Sequence, residues 1–196
     1  MNTTRLEAFS DAVIAILITI MVLEFKSPEG ATLGALRPLL PTFLTYVLSF
    51  VFLGIYWNNH HHLMHITQHV NGKILWANLH LLFWLSMVPL ATGWMSENHA
   101  APLPVAVYGG VLLCAALAWM ILQGEIVRHE GSSSPLREAL GADLKARGSL
   151  AAYTAAIPLA FVWPPASIGL YVAVALTWLI PDRRIESRVY RDSGRA

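Results

Sequence analysis

Three groups of residues in this chain could do chemistry. Asp11 lies in the hydrophobic stretch Arg5 to Phe25, RLEAFSDAVIAILITIMVLEF, just before a run, Ala12 to Leu23, that is apolar except for Thr19. A histidine run, His60-His61-His62 with His65 and His69 beyond it, follows the aromatic pair Tyr56-Trp57. Asn78 and His80 stand near the start of the next apolar stretch. A carboxylate in apolar surroundings is costly unless other protein groups face it, and a histidine or an amide can supply the donors. One chemistry for such a set is a proton relay, in which a proton-coupled secondary transporter would use Asp11 and the His60–His62 cluster. Another is metal binding, because His61, His65 and His69 recur at i, i+4 and i+8 and could line one helical face. No Asp, Glu or Cys lies between Arg37 and Met95 to complete a site, so no metal is expected. A pH response fits the run better, since histidine titrates near neutrality.

Enzymatic chemistry finds no footing. There are no paired carboxylates at catalytic spacing, no Gly-rich phosphate loop and no nucleophile–base motif. The chain is therefore read as a non-enzyme, without a cofactor and without a nucleic-acid partner. The single cysteine, Cys114, sits in an apolar run and offers neither an internal disulfide nor a zinc–thiolate site. A Thr-Val-Gly-Tyr-Gly filter is absent, as is any ladder of arginines, so neither a carbonyl-lined filter nor a voltage sensor is expected. Tyr108-Gly109-Gly110 reads as a close-packing site rather than as a filter.

The elements that must position these residues are helices in a bilayer. Of the 196 residues, 56% are hydrophobic and only 13% charged, too apolar for a soluble domain of this size. Six apolar spans are expected, at about 5–26, 39–57, 74–95, 103–124, 149–163 and 166–180, forming one all-α unit over 1–196. In the first span, Thr4 and Glu7 have capping-box spacing. At 100° per residue Phe9, Ala12, Ile16, Ile20 and Leu23 share a stripe with Thr19 at its edge, and Asp11 points nearly opposite. Arg5 either projects onto that stripe or bends back to Asp11. Between the fourth and fifth spans, Leu136, Leu140 and Leu144 recur among charges and predict a short helix lying on the membrane surface.

Arg5-x-x-x-Phe9-Ser10-Asp11, followed by Ala-Val-Ile-Ala-Ile-Leu-Ile-Thr, closely resembles the first-helix signature of the transmembrane protein 175 family, potassium channels of bacterial membranes and of animal endosomes and lysosomes. Trp57-x-x-His60 and Asn78, with Pro89 further along, match the family's second- and third-helix pattern. The resemblance covers residues 4 to 95 well. It implies a leak-type, potassium-preferring channel in which the first helix of each of four identical chains lines a pore. Potassium is then the permeant ion. Ile16 would form the narrowest ring, Ile20 and Leu23 the next ones, and Thr19 would influence selectivity. A third reading, a membrane-embedded assembly factor, would carry no current.

Six spans place both termini on one side of the bilayer. Eleven of the 13 lysines and arginines fall on that side, and only Lys26 and Arg37 on the other. Basic residues favour the cytoplasm, so both termini are expected inside, in a cell (inner) membrane. That topology brings Asp11, His60, His61 and Asn78 to a similar depth at the cytoplasmic leaflet. A polar cluster behind the first helix is expected to set its rotation.

Overall fold

The computed structural model describes residues 3–67, 69–130 and 144–179, and every regular element among them is helical. In chain order they are α1 (Thr3–Ile20), α2 (Leu40–Ile66), α3 (Gly72–Ser86), α4 (Val88–Glu97), α5 (Pro102–Glu130), α6 (Leu144–Leu159) and α7 (Pro164–Leu179). A 3-10 turn, Met21–Glu24, extends α1, and another, Leu33–Leu39, leads into α2. Among the described residues four stretches are long and apolar enough to cross a membrane: Thr3–Glu24, Leu33–His65, Gly72–Glu97 and Pro102–Glu130. The chain is an all-α, multi-pass membrane protein. The surface helix expected around Leu136 and Leu140, and the basic segment after 180, lie outside the described residues.

Three boundaries differ from expectation, each for a local reason. α2 runs on to Ile66 instead of stopping near Trp57, so most of the histidine run is helical. It ends where Thr67 turns extended and its hydroxyl bonds back to Leu63 O at 2.7 Å. The third span is broken at Met87, because Pro89 has no N–H to continue the ladder and begins a new helix, α4. Pro164 and Pro165, left outside the sixth span expected at 166–180, form the first turn of α7, where helical N–H groups need no partner. α6 and α7 have 16 residues each. At 1.5 Å per residue they reach about 24 Å, short of the roughly 30 Å hydrocarbon layer.

α5 is the helix around which the core is built. α3 and α4 pack on one side of it, and the α6–α7 hairpin on the other. Gly109 permits the closest approach. A Cβ there would fall on the Tyr171 hydroxyl and within 2.8 Å of its Cζ. Tyr171 is fully buried and donates to Val105 O at 3.1 Å. The reading of Tyr108-Gly109-Gly110 as a packing site holds at Gly109, whereas Gly110 faces open space. α1 contributes to this core by one face only, through Leu6, Ile14 and Leu17, with Met21 just beyond its end. It lies against α2, α3 and α4 at the edge of the bundle.

Candidate functional site

α1 is seated by a narrow face. Leu6, Ser10, Ile14, Leu17 and Met21 are buried, a stripe at helical spacing. Ser10 anchors it. Its hydroxyl donates to Leu6 O at 2.9 Å and accepts from Asn78 Nδ2 at 2.9 Å. Asn78 Oδ1 lies 2.8 Å from His60 Nε2. All three side chains are fully buried. The bond to Asn78 Oδ1 requires His60 to carry its proton on Nε2, since the amide oxygen can only accept. The chain Ser10–Asn78–His60 therefore ties α1 to α3 and α3 to α2.

Asp11 stands outside this chain of bonds. It is half-buried, with its Oδ1 shielded from solvent and without a hydrogen-bond partner among the described residues. His60 Nδ1 is the other buried polar atom in that state. Residues of the expected cluster do come together, but Asn78 binds the serine of the motif rather than its aspartate. Arg5 is exposed and makes no ion pair with Asp11 within the chain.

A second polar contact lies at the same end. Glu7, read from the sequence as half of a capping box, meets His61 Nδ1 at 2.8 Å and links α1 to α2. α1 is already helical at Thr3, which leaves Thr4 no capping position. The His61 ring stacks on Trp57 and on His65, with centroids 6.4 and 6.3 Å apart. His69 falls beyond the end of α2 and does not share their face. Among the described residues no three His, Cys, Asp or Glu side chains converge as a metal site needs.

The opposite face of α1 is uncovered. Phe9, Ala12, Ile16, Thr19, Ile20 and Leu23 are all exposed, Ile16 at 56% and Leu23 at 80%. Arg5 continues the same face at the N-terminal end. Thr19 bonds its own helix, Oγ1 to Ile16 O at 2.9 Å, so its hydroxyl oxygen stays available on the exposed face. The stripe drawn from periodicity is the surface left free.

Sequence reasoning missed a second buried polar set. Ser49 Oγ lies 2.7 Å from Thr92 Oγ1 and 3.0 Å from the Tyr108 hydroxyl, joining α2, α4 and α5. Thr92 also donates to Val88 O at 2.7 Å, in the first turn after the Pro89 break. Ser49 and Thr92 are small polar residues in apolar spans, which is the signal that could have found them.

The profile of the family described as endosomal/lysosomal potassium channel TMEM175 matches residues 5–89. A potassium channel of Chryseobacterium sp. (strain P1-3) is 54% identical over 186 residues, covering 95% of this chain and 97% of the relative. A potassium channel of Streptomyces collinus (strain DSM 40733 / Tue 365) is 33% identical over 184 residues, covering 88% and 89%. Among solved structures, a lysosomal potassium-selective channel TMEM175 homolog from Chamaesiphon minutus superposes with a TM-score of 0.79 at 28% identity. That match covers 91% of this chain and 96% of the other.

Proposed function

The chain belongs to the TMEM175 family, and from that premise we infer that it is a potassium channel whose pore is lined by α1. The observation that carries this reading is the placement of α1. It sits at the rim of the protomer with one face pinned by Ser10–Asn78–His60, and the face bearing Ile16, Thr19, Ile20 and Leu23 uncovered. Four copies around an axis, each with α1 innermost, turn that face into rings. An intact helix has already used its backbone carbonyls, so selectivity cannot come from carbonyl cages. Apolar rings gate by narrowing and drying. Ile16 is the constriction, with Ile20 and Leu23 beyond it, and Thr19 supplies a polar oxygen in the tight region. The channel is leak-type, needs no cofactor, and resides in the cell (inner) membrane with both termini cytoplasmic.

The experiment is a planar-bilayer recording of the purified protein under a potassium gradient, repeated with sodium replacing potassium on one side. A reversal potential near the potassium equilibrium value is expected. The rival reading, a proton-coupled transporter using Asp11 and His60–His62, draws on the buried, unpartnered Asp11 Oδ1 and His60 Nδ1. Silence in the bilayer, with ion uptake into proteoliposomes only under a proton gradient, would overturn the channel in favour of that transporter.

A further inference from the structure

Residues from the start of α3 and the end of α5 line an open cavity of about 1020 Å³. We propose that this cavity holds the phosphate headgroup of an anionic phospholipid, with Lys73 and Arg128 as its ligands. The inference rests on the reading above only for its leaflet, the cytoplasmic one.

Its walls have two characters. Towards the helix ends stand Lys73, Arg128 and His129. Lys73 is exposed and has no ion pair within the described chain. It stands in the first turn of α3, the positive end of the helix dipole, where a cation is unfavourable on its own. An anion between them resolves that conflict. Arg128 pairs with Glu125, yet its side chain remains 76% exposed, so its other N–H groups stay free to bind a phosphate. His129 accepts from the Asn71 amide through Nδ1 at 3.1 Å, which leaves its Nε2 side open to the cavity.

Further along the two helices the lining adds the apolar Trp76, Ala77 and Ile121, with His80 beyond them on α3. Trp76 is 75% exposed and Ile121 is exposed beside it. A soluble phosphate has no use for that wall, whereas the glycerol and upper acyl chains of a lipid do. Tryptophan at headgroup depth and basic side chains between spans are the two features such sites combine.

The test is native mass spectrometry of the full chain in mild detergent, with phosphatidylglycerol and phosphatidylcholine of the same acyl chains added in turn. The wild type is expected to retain phosphatidylglycerol over phosphatidylcholine. Lys73→Gln and Arg128→Gln are each expected to lower phosphatidylglycerol retention roughly fivefold. Lys73→Arg keeps it, and Lys26→Gln with Arg37→Gln, at the other end of the molecule, leaves it unchanged. All these side chains but one are unpaired and exposed, so the variants fold, and the same spectra report their assembly. Equal retention of both lipids by the wild type overturns the proposal, as does undiminished retention in the Lys73→Gln/Arg128→Gln double variant. So does a rise in melting temperature with inorganic phosphate matching that with phosphatidylglycerol, which would mark a site for soluble anions. The readout is mass and melting, so a chain that conducts nothing leaves this result standing.

Discussion

Ser10 and Asp11 are neighbours in the chain, and the fold treats them oppositely. One is fully buried and bonded twice; the other is half-buried with a shielded, unpartnered oxygen. Topology in the sequence grouped Asp11, His60 and Asn78, and the fold sets Asn78 against His60 and against Ser10, the neighbour of Asp11. Which motif residue receives the Asn78 amide depends on the rotation of α1, and successive residues differ by about 100°. The apolar stripe marks the free face but leaves two flanks open, and the seat lies on the Ser10 flank. The consequence is that Asn78 holds α1 to both neighbours. Asn78→Leu keeps the branched shape but strips Ser10 and His60 of a partner inside the protein, which costs about 1–3 kcal/mol. A lowered melting temperature of the purified protein checks this, and Trp57→Phe, at an exposed position, serves as the comparison. On the free face, Ile16→Asn tests the proposed constriction, since an amide there would wet the ring that the proposal makes the narrowest. Higher conductance and weaker potassium-over-sodium selectivity are expected in bilayer recordings; unchanged currents would count against Ile16 as the constriction.

At the scale of elements, the long apolar spans were legible because length and composition define them. The breaks were less so. Pro89 is visible in the sequence, yet whether a proline bends or ends a helix depends on what satisfies the freed groups around it. Here α4 restarts under the Ser49–Thr92–Tyr108 hydroxyls, three residues far apart in the chain. α6 and α7 were blurred because their ends are set by prolines that suit either a turn or a first helical turn. The α5–α7 contact makes a sharp prediction. Gly109→Ala drives a methyl into Tyr171, which cannot retreat without losing its bond to Val105 O. Overpacking of this kind costs about 1–3 kcal/mol, and an orphaned buried hydroxyl adds a similar amount. Gly110→Ala, one residue along in open space, stabilises by roughly 0.5–1 kcal/mol through helix propensity. Thermal melting of the two variants in one detergent should move in opposite directions.

At the scale of the whole molecule, the placement of α1 at the rim decides what kind of assembly can conduct. An apolar face alone would be content against lipid. This face also carries Arg5 at one end and the Thr19 hydroxyl near the other, and polar groups in lipid are costly whereas in a water-filled pathway they are not. If four copies meet on this face, their Leu23 side chains come together at one narrow level of the axis. A disulfide needs Cα atoms within about 7 Å, so a cysteine there reports the arrangement directly. In a Cys114→Ser background, Leu23→Cys is expected to cross-link between copies on mild oxidation, while native mass spectrometry of the unoxidised protein gives a four-chain mass. Val172→Cys, also surface-exposed though at 39% against 80% for Leu23, and on α7 away from α1, is expected to stay monomeric on a denaturing gel. Cross-linking at Val172 with none at Leu23 would turn the assembly inside out. It would place α7 at the axis and return the α1 face to the lipid.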